Sequence, residues 1–380
     1  MSRLQVFVLI DALGWELVQR RRLTAEYLPH QQRVPTMLGF SSGIIPSILT
    51  GRTPSETGMW NLVYYDPEKS PFGWTRRLGR AMRLFDYRIG RRLLTEAGRR
   101  LLGMGANFDV SVEAETLGYF HWAESRNIYA HHGVPGQKSI FDLLAEKNAG
   151  HCIYSYKDSL SDQKIIEQAE RDIRGGDEQV YFLYLCELDM FLHLHRHEPE
   201  KIAEKLDWYE AALRRVFAAA RERDAQARLG VFSDHGMTPV VRHCDLAGEV
   251  AACGLRTPRD YLAVYDSTMA RFWFFNDAAR EKIVGRLGGL DYARWLTDDE
   301  LREFGVYFED RRYGERVLLL EPGAIIAEGG FNGRGWRPKG MHGYIPGDEY
   351  SDACFLSSEE PGVELRTVKD IFTVMREALG

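Results

Sequence analysis

Three short apolar runs in this chain end in the same way. QVFVLI at residues 5–10 runs into Asp11. VYFLYL at 180–185 runs into Cys186, Glu187, Leu188 and Asp189, and LGVF at 229–232 runs into Ser233, Asp234 and His235. A run of four to six residues that is apolar throughout suits a strand buried on both faces, as strands of parallel sheets are. Between the runs, residues 163–174 and 198–223 are charged and amphipathic and read as helices. Strands alternating with helices predict an α/β fold with a doubly wound, mostly parallel central sheet flanked by helices. Ligands bind such sheets beyond the carboxyl ends of the strands, and that is where the acidic residues fall.

Two stretches break the rhythm. Residues 71–135 contain WTRRLGRAMRLFDYRIGRRLLTEAGRR, where nine arginines stand against Asp86 and Glu96. This reads as an Arg-rich helical insertion or lid. Residues 255–335 carry MARFWFF, a helical pattern at 277–287 and RVLLLEPGAIIAEGG, which together read as a small α+β insertion. The catalytic core is then expected from 1–70, 136–254 and 336–380. Leu, Met, Phe and Tyr interleave the arginines of 76–100. That segment has three readings: a solvated helical face, a lid that gathers an anionic substrate, or a peripheral contact with an anionic membrane.

The bulk numbers exclude several classes. With 380 residues, 44% apolar and 27% charged, the chain resembles ordinary globular proteins rather than disordered ones. A net charge of −6 gives no general reason to bind a nucleic-acid polymer. Cys152, Cys186, Cys244, Cys253 and Cys354 are odd in number and scattered, which fits a reducing compartment rather than a disulfide framework. The apolar run near the start is stopped by Asp11, unlike a signal peptide, and no run approaches the ~20 residues that cross a bilayer. A cytoplasmic location is expected.

Asp11, Asp189, His193, Asp234, His235 and His342 are all metal-ligand types; Asp11, Asp189, Asp234 and His235 lie within four residues of a strand end, and His193 follows Asp189 by four. His342 sits in the glycine-flanked turn KGMHGY. Six oxygen and nitrogen ligands suffice for two divalent ions with open positions, and two such ions can clamp both oxygens of an in-line displacement. SSGIIPSILTG at 41–51 places Ser41 and Ser42 before a helix start. Either serine can be a helix cap or a nucleophile, and a metal would supply the activation that a serine otherwise takes from a histidine.

In these motifs the chain resembles the alkaline phosphatase superfamily, and within it the nucleotide pyrophosphatase/phosphodiesterase branch. The strand ending on Asp11, LTGRTPSETG at 49–58, YYDP at 64–67, ELDMFLH at 187–193, SDHGM at 233–237 and GMHGY at 340–344 follow the family's order. The resemblance implies Asp189, His193 and His342 around one metal and Asp11, Asp234 and His235 around the other. It places the nucleophile ten residues before Gly51, at Ser41, and leaves Ser42 as the cap. Asn61 is its candidate for steadying a phosphate oxygen, one residue early in an ungapped count. The chain departs from the family in carrying Leu192 where a glycine normally precedes the metal histidine. It also lacks the C/S-x-P-x-R frame of sulfatases.

The function implied is a two-metal hydrolase of phosphodiester or phosphoanhydride bonds in small molecules, acting through a covalent phospho-serine. Zinc is the favoured ion and manganese the second choice. A phosphomonoesterase or phosphomutase-like relative is the nearest rival, with Arg52 as a candidate for the added phosphate charge. A non-catalytic metal-binding partner in glycan or lipid assembly is the rival of another class.

Overall fold

The three apolar runs are neighbouring strands of one sheet. The computed structural model describes residues 3–102, 110–123, 127–155, 160–327 and 336–380. Its six-stranded sheet has the order His30–Val34, Ala353–Ser357, Arg228–Phe232, Gln5–Ile10, Val180–Leu185, His151–Tyr154. The last four run parallel, while Ala353–Ser357 is antiparallel to both of its neighbours. All six residues of Gln5–Ile10 and of Val180–Leu185 are buried, so the missing alternation in the sequence reports strands covered on both faces.

Register decides where the chemistry can gather. Ile10 pairs with Leu185, and Leu9 with Phe232. Asp11, the start of the 186–189 segment and Ser233 therefore leave the sheet at the same edge. A shift of one residue would instead turn every side chain over. Helices Asp162–Gly175 and Pro199–Arg223 pack into the core cluster that holds Val6, Val8, Leu183 and Leu185 from the strands.

The chain divides into two compact units. The sheet belongs to the first, formed by Met1–Gly58, Asn127–Pro239 and Pro338–Gly380. The second joins Met59–Arg126 to Val240–Arg337. It contains an antiparallel sheet of order Tyr261–Asp266, Met269–Phe274, Arg316–Leu320, Ala293–Trp295. The buried guanidinium of Arg271 pairs with Asp266 at 2.6 Å and donates to the Val63 carbonyl at 2.8 Å.

Helix Arg88–Leu101 lies in the 71–135 stretch, preceded by two 3-10 turns. The same stretch also supplies strand Phe120–Trp122, which pairs with Val63–Tyr65. That pairing carries residues 59–70 into the second unit. The parallel pairing of Arg242–Cys244 with Ala324–Ile326 does the same for residues 240–254.

Candidate active site

Asp11 is set by a strained turn. Its N–H continues the ladder to the Leu185 carbonyl at 2.9 Å, and Ala12 then takes φ 62°, a left-handed conformation that costs a residue with a Cβ about 1–3 kcal/mol. The turn aims the Ala12 N–H at Asp234 Oδ1, 3.3 Å away, and the His235 N–H reaches the same oxygen at 3.0 Å. Behind the carboxylate of Asp11, the buried Tyr184 hydroxyl donates to Oδ2. Burial and then the Asp11 charge push the Tyr184 pKa far up, so it remains a donor at any working pH.

The SDHGM loop is shaped by close backbone contact. A Cβ on Gly236 would overlap the Tyr350 carbonyl oxygen, and one on Gly14 would stand 3.0 Å from Gly236 Cα. The buried Arg196 fastens the same loop, donating to the Met237 carbonyl at 2.7 Å and pairing with buried Glu16 at 2.9 Å.

Asp189 and His193 share one side of helix Glu187–His195, four residues apart, and His193 Nε2 lies 3.3 Å from Asp189 Oδ2. The helix start is capped from elsewhere in the chain: the buried Asp162 carboxylate accepts from Cys186 N at 3.0 Å and Glu187 N at 3.2 Å, and Tyr209 holds the same group at 2.5 Å. His193 Nδ1 donates to the Gly340 carbonyl at 2.8 Å, which fixes Nε2 as the ligand-ready nitrogen. The 340–342 segment thereby also places His342, whose Nε2 is 3.5 Å from Asp189 Oδ1.

His235 ties the two halves together. Its Nδ1 donates to the Gly236 carbonyl at 2.9 Å. Its Nε2 lies 3.4 Å from Asp11 Oδ1, 3.2 Å from Asp234 Oδ2 and 3.0 Å from Ser41 Oγ. Its ring stacks on His342 with centroids 3.7 Å apart. Asp11, Asp234 and His235 form one set of converging ligand atoms, and Asp189, His235 and His342 form a second.

The spacing and the orphaned atoms fit divalent ions. Ligand atoms about 2.0–2.1 Å from a tetrahedral ion stand about 3.3–3.4 Å apart, close to the 3.2–3.5 Å found here and longer than ordinary hydrogen bonds. Asp11 Oδ1, Asp234 Oδ2, Asp189 Oδ1 and His342 Nδ1 are buried and have no hydrogen-bond partner among the described residues. Asp11 and Asp234 are buried carboxylates and Asp189 is four-fifths buried; charges so placed cost several kcal/mol each unless countercharge is supplied.

The protonation pattern reflects that demand. Burial, and then the Asp234 and Asp189 charges, push the Asp11 pKa well up. Burial also opposes ionised Asp189, but the charge and hydrogen bond of the neighbouring His193 outweigh it and hold that carboxyl well below its ordinary value. Burial, and then the facing His235 ring, keep His342 neutral by lowering its pKa. A neutral imidazole is the form that ligates.

A third His/Asp group behaves differently. His131 Nε2 and His132 Nδ1 both lie 3.4 Å from Asp142 Oδ1. Both Asp142 oxygens are already used, Oδ1 by the His132 N–H at 2.7 Å and Oδ2 by Ser139 at 2.7 and 2.8 Å. This group is the capping box of helix Ile140–Glu146.

Ser41 opens helix Ser41–Thr50, which Gly51 ends in a left-handed conformation. The N-cap is Phe40, with no side-chain cap, so Ser41 and Ser42 are the first two helical residues and neither holds the cap position expected for Ser42. His197 is exposed, whereas His193 is buried against Asp189. Arg52 is more than half exposed and pairs with Glu56 at 3.2 Å. Asn61 belongs to the second unit, where it is buried with its amide 3.4 Å from the Met269 sulfur. Tyr184, Asp162 and Arg196 escaped the sequence reading. The only signals for them were a tyrosine inside an apolar strand, an acid at a helix start and an arginine among histidines.

A family model described as type I phosphodiesterase / nucleotide pyrophosphatase matches residues 44–345. The matched span includes Asp189, His193, Asp234, His235 and His342, while Asp11 and Ser41 precede it. No curated protein matches the sequence. Among solved structures, murine ectonucleotide pyrophosphatase / phosphodiesterase 5 superposes with a TM-score of 0.69 at 14% identity, over 99% of this chain and 95% of that one. An inactive form of the murine protein in complex with AMP gives the same score and identity over 100% and 95%. The human protein gives 0.69 at 11% identity over 99% and 95%. At these identities the likeness is one of fold.

Proposed function

Because this chain belongs to the type I phosphodiesterase / nucleotide pyrophosphatase family, we propose that it is a two-metal hydrolase of phosphodiester or phosphoanhydride bonds in small molecules, with Ser41 as nucleophile. The observation that carries the reading is the convergence of the orphaned carboxylate oxygens of Asp11, Asp234 and Asp189 on the Nε2 atoms of His235 and His342, at 3.2–3.5 Å spacing, beside the Ser41 hydroxyl. Asp11, Asp234 and His235 would hold one ion, and Asp189, His193 and His342 the other. Two divalent cations, zinc first and manganese second, supply the charge that acidifies a serine hydroxyl and neutralises phosphoryl oxygens.

The chain's own residues define the rest. In the metal-free chain His235, its Nδ1 committed to the Gly236 carbonyl, accepts a hydrogen bond from the Ser41 hydroxyl at Nε2, which holds Oγ at the cluster; that lone pair would ligate the ion when one is bound, and Ser41 would then give up this acceptor. Ser41 Oγ attacks phosphorus in line; the Oγ–P bond forms as the bond to the leaving oxygen breaks. The resulting serine ester keeps the other substituent of the diester until water displaces Ser41 from phosphorus. The AMP bound by the murine relative supports a nucleotide phosphoester as the substrate class. A reducing, cytoplasmic setting is proposed on the sequence alone, from five cysteines that are odd in number and scattered.

The Ser41–His235 pair also has the geometry of a metal-free serine–base pair. The buried carboxylates weigh against it, because they would have no countercharge. Metal analysis of the purified protein, with rates on bis-aryl and mono-aryl phosphates before and after chelation, separates the readings. Two metal equivalents and a chelator-sensitive preference for the diester are expected. A strong monoester preference, or full activity after chelation, overturns the proposal.

A further inference from the structure

The Arg-rich segment has an exposed face that the hydrolase reading does not use. Among the described residues, eight of the twelve exposed large apolar side chains fall between Trp74 and Leu102. Leu84, Ile89 and Leu101 are 75%, 76% and 80% exposed, which a purely solvated face would not maintain. Helix Arg88–Leu101 turns Leu94 and Thr95 into the core of its unit. Ile89, Arg92 and Leu93, spaced three and four residues apart, therefore share the outward side. Trp74 and Tyr87 are exposed as well, and such rings suit the depth of lipid headgroups.

Among residues 74–102 the charge left unpaired is basic. Arg77, Arg80 and Arg92 are exposed and make no ion pair among the described residues. The acids Asp86 and Glu96 are partly buried and already paired, with Arg91 at 3.4 Å and Arg100 at 3.0 Å. A basic face on a chain of net charge −6 is a local feature and not a by-product of composition.

We propose that the 74–102 face docks on an anionic lipid bilayer, its leucine, isoleucine and aromatic side chains entering the headgroup region while Arg77, Arg80 and Arg92 meet lipid phosphates. A polyanion such as RNA would recruit the arginines but give no role to the exposed aliphatics. A neutral protein surface would not need the arginines. A bilayer with anionic headgroups uses both.

The test is cosedimentation of the full chain with vesicles of phosphatidylcholine, with and without phosphatidylserine, at low and high salt. Binding is expected only with phosphatidylserine, and weaker at high salt. Arg77→Gln with Arg92→Gln is expected to weaken it about thirtyfold, at about fivefold per arginine. Ile89→Ser with Leu93→Ser should weaken it more than about tenfold. All variants should hydrolyse a soluble diester at the unaltered rate, so failure here is separate from failure of the hydrolase reading. Absence of binding at low salt, or equal binding by the variants, overturns the proposal. So does a concentration-dependent dimer that the Ile89/Leu93 variant abolishes while vesicles are ignored.

Discussion

Tyr184→Phe isolates the support of one ligand without touching any ligand. The change removes only the hydroxyl that donates to Asp11 Oδ2. The ring keeps its stacking on Tyr129, with centroids 5.7 Å apart. A hydrogen bond to a charged group contributes about 1.5–3 kcal/mol, or about 10–150-fold in an equilibrium constant. The bond holds Asp11 in the ionised form that a cation needs, against the burial and the two neighbouring carboxylates that favour its proton. Metal affinity should therefore fall about 10–150-fold for the Asp11, Asp234 and His235 set alone. The other equivalent, held from helix Glu187–His195, should be nearly unchanged. Competition against a chromogenic chelator measures both constants, and thermal melting of the metal-free protein shows whether the fold is intact. Equal weakening of both equivalents, or affinity within threefold of the parent in an intact fold, would refute the assignment of Tyr184 as the positioning residue for Asp11.

Other consequences follow from the same geometry. The raised Asp11 pKa means that the folded, metal-free protein holds this proton more tightly than the unfolded chain; that stabilisation is full below the ordinary value of 3.8 and is lost as pH rises through the higher folded value. The gap in Tm between metal-loaded and metal-free protein should widen from acid to neutral pH, and Asp11→Asn should remove that part of the pH dependence; a pH-independent gap contradicts it. Asp162→Ala deprives Cys186 N, Glu187 N and Tyr209 of their shared acceptor, and should cost about 1–3 kcal/mol in urea unfolding while weakening the metal held by Asp189 and His193. Gly236→Ala forces a Cβ against the Tyr350 carbonyl; a loss of about 1–3 kcal/mol or more is expected in the same assay, and unchanged stability would show that the loop yields freely.

The sequence was most legible where burial makes a residue pattern continuous. Strands covered on both faces must be apolar throughout, so Gln5–Ile10 and Val180–Leu185 stood out, and parallel register then brings their acidic ends to one edge. The supporting residues were illegible because their roles depend on partners distant in the chain. Tyr184 reads as one more strand residue until Asp11, on the next strand, is seen to face it. Asp162 reads as a helix-start acid, although its carboxylate caps a different helix. Ser42 looked like a cap because serine favours that position, yet Phe40 occupies it. The unit boundaries were hard to read because the short strands Val63–Tyr65 and Arg242–Cys244 take their partners about 60 and 80 residues onward.

The central claim is that Ser41 attacks phosphorus beside a two-metal cluster that does not need Ser41 to form. Turnover of a phosphodiester by Ser41→Ala protein, normalised to its measured metal content, tests it most directly. The account predicts two metal equivalents retained and turnover reduced by about 10³-fold or more. Near-parental turnover by that variant, with Ser42→Ala inactive instead, would contradict it.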